Sequence, residues 1–321
     1  MKQEREKMPE LLSPVGGMLQ LKAAINNGAD AVYMGGSLFN ARMKAQNFSN
    51  QELKEAIDYA HENCVKVYIT LNTLIKDSEL GKALEYVNYL YGIGADAVIM
   101  QDLGLLRMVR RYLPDMPVHW STQGTIYNRG GLEFMKRLGV TRIVPARELS
   151  LEEIRALKSD RQGGDGNDME VEVFVHGALC MCYSGQCQMS RLLDGKSSDG
   201  SIGGARSGNR GLCAQPCRLS YMDDYNRKTY ALSPKDMCTL SLIPQLCQAG
   251  VDSFKIEGRL KSPEYVAAVT GIYRKYIDLY ESIKNSSIEG ESFDVDSWER
   301  MIDSHDMHKL SQVFNRGGFG T

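Results

Sequence analysis

Six cysteines lie close together in the second half of the sequence and are its strongest chemical signal. Three belong to the segment VHGALCMCYSGQCQMS, two form a C-x3-C pair in RGLCAQPCR, and one follows in SPKDMC. Glycines and a proline between them allow the chain to turn around an ion or a cluster. In a reducing compartment, cysteines grouped in this way bind metal or do redox work more often than they form disulfides. The six are Cys180, Cys182, Cys187, Cys213, Cys217 and Cys238.

Their spacing favours an iron–sulfur cluster over zinc. Four thiolates suit either, but zinc sites usually show two short C-x2–4-C pairs, and the favoured ligand candidates form one C-x3-C pair, the others being spaced C-x6-C or standing alone. Zinc therefore stays as the alternative metal. Cys64, Cys182 and Cys247 are interpreted as cysteines without a ligand role, because Cys64 precedes a predicted strand and Cys247 lies in a helical stretch.

A recurring unit indicates the elements that position these cysteines. The motif GADAV at 28–32 returns at 94–98, with looser copies at 139–143 and 250–254. Each copy follows an amphipathic stretch, which predicts a helix ended by a left-handed glycine and then a buried strand. Eight apolar runs predict an α/β fold, a TIM-like (β/α)8 barrel, with an open doubly wound sheet as the alternative. The runs are 10–13, 31–34, 65–71, 97–100, 117–120, 142–144, 171–175 and 253–256.

Polar side chains follow several of these runs, at the barrel face where active sites are built. We expect four of them to bind substrate: Asn72, Gln101, Ser121 and Gln123. We expect three others to be catalytic: Glu148, His176 and Glu257.

His176 has two interpretations. It precedes Cys180 by four residues, as in a Cys/His nucleophilic pair, or it is a hydrogen-bonded structural residue or substrate contact. The protease motifs H-E-x-x-H and G-x-S-x-G are absent from the sequence.

The 321 residues predict a barrel over 1–285 and a helical tail over 286–321. A Gly/Ser-rich, cysteine-containing insertion at about 188–235 separates the last two strands, and residues 191–235 carry a net charge of +4 in a chain whose total is −2. We expect Arg206, Arg210 and Arg218 to contact phosphate or carboxylate groups, or otherwise to form surface ion pairs with nearby aspartates. The sequence shows neither a signal peptide nor a membrane span, so we expect a cytoplasmic protein.

Several blocks of the sequence resemble the collagenase-like peptidases of family U-32. The blocks cover most of the chain to about residue 280. They are LLSP near the start, NFS at 47–49, STQ at 121–123, EVFVHGALCMCYSGQCQMS at 172–190, LSPKD at 232–236 and KIEGR at 255–259.

The resemblance implies a barrel-like fold and a function in RNA hydroxylation, on a wobble uridine of tRNA or a cytidine of ribosomal RNA. It implies a four-iron (4Fe-4S) cluster, prephenate as the hydroxyl source and a possible partner subunit of the same family. Lys255 and Arg259, in the KIEGR block, join Glu257 as catalytic candidates. The implied cluster ligands are Cys180, Cys187, Cys213 and Cys238, with Cys217 as the position that some relatives use instead.

Two rival functions remain at this point: a collagenase-like peptidase and a non-catalytic cluster-binding subunit. Longer family members continue beyond the Phe-Asn-Arg-Gly block with a further domain, and this sequence stops there. Two alternatives follow: either a C-terminal RNA-contacting domain is absent, or the chain is truncated and residues 286–321 are the start of that domain.

Overall fold

The structure, a computed structural model, describes residues 8–43, 47–158, 169–193, 206–286 and 295–320. Its strands are β1 (Glu10–Pro14), β2 (Ala31–Met34), β3 (Lys66–Leu71), β4 (Ala97–Met100), β5 (Val118–Trp120), β6 (Arg142–Ile143), β7 (Glu170–Ala178), β8 (Tyr221–Met222), β9 (Lys228–Thr229), β10 (Asp236–Cys238), β11 (Ser253–Ile256) and β12 (Phe319–Gly320). Its α-helices are α1 (Met18–Asn26), α2 (Asn50–Glu62), α3 (Asp77–Gly92), α4 (Leu103–Tyr112), α5 (Arg129–Arg137), α6 (Leu151–Lys158), α7 (Met189–Leu192), α8 (Ile243–Gln248), α9 (Pro263–Ser286), α10 (Val295–Met301) and α11 (Ser304–Val313).

Eight parallel strands close into a barrel. Strands β1 to β7 pair in chain order, and β11 pairs with both β7 and β1. The (β/α)8 prediction is confirmed, and the open doubly wound sheet is wrong because β11 bridges what would have been the two edges. Every residue of β2 and β4 is buried, as expected of strands covered on both faces.

The helix-to-strand joints take the conformation that the repeated glycines predict. Gly28, Gly94, Gly139 and Gly250 have φ between 76° and 88°, a region where a side chain would be strained. Helix α2 begins with the expected capping box, in which the Ser49 amide donates to Glu52 Oε2 at 2.8 Å.

A buried ion network occupies the barrel interior near the amino ends of the strands. Arg142 Nη1 lies 2.6 Å from Glu10 Oε1 and 3.2 Å from Glu172 Oε2, and Lys255 Nζ lies 2.6 Å from Glu172 Oε1. Glu172 is completely buried. Burial disfavours the charged guanidinium of Arg142, but the two carboxylates raise its pKa well above the ordinary value.

The insertion leaves the barrel after β7 and returns beside it. Residues His176 to Ala178 of β7 pair with β10 in antiparallel register, and β12 then pairs with β10. Cys180 lies just beyond the end of the seventh strand, as predicted. Residues 194–205, which include part of the predicted basic loop, lie outside the described residues.

The C-terminal tail packs on α9 and reaches the carboxyl end of the barrel. Trp298 is fully buried, donates to Leu240 O at 3.1 Å and meets Tyr276 and Tyr280 edge to face. In the part of the chain that the structure describes, no helix combines the length and the apolar character needed to span a membrane.

Candidate active site

A cavity of about 1080 Å³ opens at the carboxyl ends of the barrel strands. Asn72 follows β3, Ser121 follows β5, Arg147 follows β6 and Cys180 follows β7. The segment 257–261 after β11 and part of the insertion complete the wall. The cavity therefore lies where parallel-barrel enzymes place their active sites.

Four cysteines line this cavity: Cys180 and Cys187 from the segment that follows β7, and Cys213 and Cys217 from the insertion. A side chain added at Gly208 would lie 3.7 Å from both Cys187 O and Cys213 Cβ, so the two cysteine segments approach each other there. Burial raises the pKa of Cys217; Arg218 opposes that rise, and the Cys180, Cys213 and Cys187 thiols add to it.

Backbone amides already point at two of these sulfurs. Met189 N donates to Cys187 Sγ and Gln215 N donates to Cys213 Sγ, both at 3.3 Å. Amide donors of this kind tune iron–sulfur clusters, and four thiols, two of which have such donors, fit the ligand chemistry of a cluster. Among the described residues, however, no three His, Cys, Asp or Glu side chains are arranged closely enough to hold a metal ion as they stand.

Glu148 positions the first cysteine segment. Its carboxylate accepts hydrogen bonds from Ser184 N at 2.7 Å and from Ser184 Oγ at 2.6 Å. Gln186 of the same segment donates to Gln123 O across the cavity rim. Glu148 does not line the cavity, so its observed role is to anchor the turn between Cys180 and Cys187 and not the catalytic one expected from sequence.

Cys238 departs from the ligand set that the family resemblance implied. It is 4% exposed, lies on β10 opposite His176, and its Sγ is 3.9 Å from the Tyr273 hydroxyl. Burial raises the pKa of its thiol. The structure therefore places Cys217, and not Cys238, with the other three cysteines.

His176, which the sequence placed among the catalytic candidates, also does not line the cavity. Its ring is 1% exposed and packs against Tyr273, Tyr265 and Phe319. Burial lowers its pKa to about 3, so the imidazole is neutral at physiological pH. The structure matches the structural interpretation of His176 and does not form the Cys/His pair.

The cavity floor carries the three candidates from the KIEGR block. Lys255 is held by Glu172, and Glu257 lies 2.9 Å from Arg42 Nη2 and 3.3 Å from the Tyr33 hydroxyl. Burial would raise the pKa of Glu257, but the Arg42 guanidinium holds it below the ordinary value.

Arg259 lies beside that ion pair and is 6% exposed. Its guanidinium donates to Asn40 Oδ1 at 2.9 Å and to Thr70 Oγ1 at 3.2 Å. Burial and then the nearby Arg42 lower its pKa to about 10.

The predicted substrate-binding residues divide into two groups. Asn72, Ser121, Gln123 and Arg218 line the cavity. Gln101 is buried below the cavity and donates to Asn72 O at 2.8 Å.

The three arginines of the insertion have different surroundings. Arg210 pairs with Glu79 Oε1 at 2.5 Å and ties the insertion to α3, which corrects both the phosphate contact and the aspartate pairing expected for it. Arg218 lines the cavity and donates to Ser233 Oγ at 2.6 Å and to Leu179 O. Arg206 is half-buried and does not line the cavity.

Sequence reasoning missed four cations of the cavity wall: Arg42, Arg147, Lys261 and Arg316. Arg147 directly precedes the predicted residue Glu148, and Arg316 lies in the Phe-Asn-Arg-Gly block, so both had a positional signal. Arg42 lies in a loop with no recognisable pattern, and only the folded barrel brings it to Glu257.

Comparison with known proteins gives consistent matches. The family model described as Peptidase family U32 matches residues 16–320. The tRNA hydroxylation protein P1 of Bacillus subtilis (strain 168) is 37% identical over 286 residues, which are 85% of this chain and 64% of that protein. The 23S rRNA 5-hydroxycytidine C2501 synthase of Escherichia coli (strain K12) is 41% identical over 275 residues, 84% of this chain and 39% of that protein.

A solved structure shares the fold. The U32 peptidase Mk0906 superposes with a TM-score of 0.50 at 13% identity, over 80% of this chain and 96% of that one. The chain spans less than two thirds of the length of both curated relatives. Because the family model matches nearly the whole chain, the chain belongs to peptidase family U32.

Proposed function

We propose that this protein is an RNA-hydroxylating enzyme, which installs a hydroxyl group on a pyrimidine of tRNA or ribosomal RNA with the help of an iron–sulfur cluster and prephenate. The observation that supports it most directly is that four cysteines and several cations line one barrel cavity. Relatives 37% and 41% identical to the chain are named for tRNA and rRNA hydroxylation.

In this proposal the cysteine segments hold the cluster at the cavity mouth. A bound cluster would supply one-electron transfer at the point where the barrel opens. Cys180, Cys187 and Cys213 are three of the ligands. The resemblance indicates Cys238 as the fourth, and the geometry indicates Cys217.

A pair of variants decides the fourth ligand. Cys217→Ser and Cys238→Ser would each be purified without oxygen, and iron, sulfide, zinc and the visible spectrum measured per chain. The true ligand variant loses the brown colour and iron, and the other keeps them. Cys64→Ser is the matched control, since Cys64 is exposed and does not line the cavity. Zinc without sulfide in the wild type would overturn the cluster in favour of a zinc site.

The polar wall would receive the other participants. An extruded base can reach a recessed site only after leaving its stack, and a cavity of this volume has room for a nucleobase beside a small co-substrate. Asn72, Ser121 and Gln123 offer amide and hydroxyl groups that could hydrogen-bond to a pyrimidine edge.

The deciding experiment is mass spectrometry of digested RNA from a strain that lacks this protein. We expect one hydroxylated pyrimidine nucleoside to disappear and to return when the wild-type gene is supplied. It should not return with Cys180→Ser. Fractionation of tRNA from ribosomal RNA before digestion identifies the RNA class.

The peptidase alternative predicts a different result. Cleavage of collagen-like peptides by metal-free protein, unchanged in Cys180→Ser, together with an intact nucleoside profile in the deletion strain, would replace this proposal.

A further inference from the structure

The cavity wall contains far more positive than negative charge. Its lining includes seven Lys or Arg side chains and one carboxylate, Glu257. Three of the cations have a carboxylate partner: Arg42 with Glu257, Lys255 with Glu172, and Arg316 with Asp236. Among the described residues, the other four have no carboxylate within 4.0 Å. These four are Arg147, Arg218, Arg259 and Lys261.

Arg259 is the one of the four that is almost completely buried, at 6% exposed. Its hydrogen-bond partners among the described residues are the neutral oxygens of Asn40 and Thr70, which occupy two of its five N–H donors. Glu257 attracts the Arg259 guanidinium, but the same carboxylate is already paired with Arg42, so it does not neutralise both cations. A buried cation that is only partly neutralised is costly unless a ligand supplies the remaining charge. Its position facing the cavity makes such a ligand reachable.

The surroundings of Arg259 are shaped to hold its guanidinium in place. A side chain at Gly35 would lie 2.0 Å from Arg259 Nη1, so only glycine allows this approach. Asn40 is itself fixed, because its amide donates to Gly36 O at 2.7 Å. The guanidinium is therefore pre-positioned, which lowers the entropic cost of binding an anion.

Lys261 lies two residues further along the same wall. It is half-buried and packs with Phe314 of the C-terminal tail. The backbone oxygen of Lys261 accepts from Gln20 Nε2 at 3.1 Å, which holds this segment on α1. The wall thus offers one cation at the floor and a second nearer the mouth.

We infer that the floor of the cavity is a carboxylate-binding subsite, in which Arg259 binds one carboxylate of a small dianion and Lys261 binds the other. The burial of Arg259 favours a small free anion over an RNA phosphate, because a phosphate remains attached to a polymer backbone that is harder to bring to a recessed floor. The subsite rests on the proposed function only in that its occupant would be the co-substrate of that reaction.

Calorimetric titration of the cluster-loaded wild-type protein tests the subsite. The probes are prephenate, succinate as a dicarboxylate without the ring, propionate as a monocarboxylate, and inorganic phosphate. We expect prephenate and succinate to bind more tightly than propionate. Arg259→Ala should weaken prephenate binding roughly 10- to 100-fold, the scale expected when a charge-assisted hydrogen bond is lost. Millimolar guanidinium should restore part of it.

Matched variants separate charge from fold. Arg259→Lys keeps the positive charge but loses the planar guanidinium with its paired N–H donors, so this variant should bind prephenate with intermediate affinity. Lys261→Met should reduce the preference for succinate over propionate. Arg107→Gln removes an exposed arginine of α4 and should change nothing. Thermal melting of each variant verifies that it folds.

RNA binding is the second arm, measured by filter retention of total tRNA. Arg259→Ala should leave RNA affinity within about twofold of wild type. If it weakens RNA binding and leaves prephenate binding intact, the buried cation serves a phosphate and the inference is wrong. The inference is also overturned if no carboxylate binds the wild-type protein. A third outcome is that Arg259 binds carboxylates but the deletion strain keeps all its hydroxylated nucleosides. This outcome would reject the proposed function and retain the carboxylate subsite.

Discussion

Inside the barrel, Arg142 and Lys255 share the carboxylates of Glu10 and Glu172, whereas at the cavity floor Arg259 has only neutral oxygens as partners. Both regions bury cations in the same barrel. The interior network is complete within the chain, so its charges serve the fold. At the floor, the single carboxylate of Glu257 serves both Arg42 and Arg259, so one positive charge stays uncompensated, which is the arrangement expected where an anionic ligand completes the site.

Breaking the complete network should produce the largest effect on stability. Glu172→Gln removes the only carboxylate that contacts Lys255 among the described residues and one of three that contact Arg142. Removing one partner of a buried ion pair costs about 3–5 kcal/mol. We expect a loss of that size in the free energy of unfolding, measured by urea denaturation.

The control for this variant is an exposed ion pair. Asp58→Asn breaks the Lys54–Asp58 contact, whose two side chains are both more than half exposed. Exposed pairs contribute about 0–1 kcal/mol. Equal losses in the two variants would contradict the distinction between a buried network and surface charge.

The anchor of the cysteine segment should give the next largest effect, and a local one. Glu148→Ala removes two hydrogen bonds to Ser184, each worth about 1.5–3 kcal/mol when the acceptor is charged. We expect faster amide hydrogen exchange in residues 182–187 and at least about a twofold lower iron content, with the barrel strands unchanged. Glu152→Ala, an exposed change on α6, is the control. Unchanged exchange in residues 182–187 would show that Glu148 does not position this segment.

Arg259 should behave opposite to Glu172. In Arg259→Met the former partners stay satisfied, since Asn40 Oδ1 also accepts from Arg42 N and Thr70 donates to Met34 O. Replacing an uncompensated buried charge by an apolar side chain is often neutral or stabilising, by about 1–4 kcal/mol. We expect unfolding free energy equal to or above wild type, measured by the same urea denaturation. A loss of unfolding free energy as large as that of Glu172→Gln would mean that Arg259 stabilises the fold and is not a ligand-binding residue.

The sequence predicted most of the barrel and less of the candidate site. Apolar runs and repeated glycines sufficed for the barrel because each is a local pattern, and three of the predicted strands, β2, β4 and β11, have the same bounds in the structure. His176 follows three consecutive apolar residues, so the sequence did not indicate which side of β7 its ring would face, and the ring packs against Tyr273 of α9. The partners of Arg42 and Arg210 lie 215 and 131 residues away, so no local signal could assign them.

The smallest effect concerns Lys261 and the pH dependence of stability. Burial, followed by repulsion from Arg316, lowers the pKa of Lys261 to about 8; Asp236 and Glu257 oppose this and Arg218 adds to it. The unfolded chain has the ordinary lysine pKa near 10.4, so between about pH 8 and 10.4 it binds more protons at this residue than the folded protein does. Stability contributed by this group should therefore rise with pH across that window, by at most about 1 kcal/mol because solvent screens a half-buried ammonium. The measurement is the difference in unfolding free energy between wild type and Lys261→Met from pH 7 to 10, which cancels the other titrating groups. Saturating succinate should shift this rise in stability to higher pH, because a bound carboxylate stabilises the ammonium form of Lys261.

The contradicting outcome is a difference in unfolding free energy that does not change with pH, with or without succinate. It would show that Lys261 stays solvated and does not share the uncompensated charge of the cavity floor.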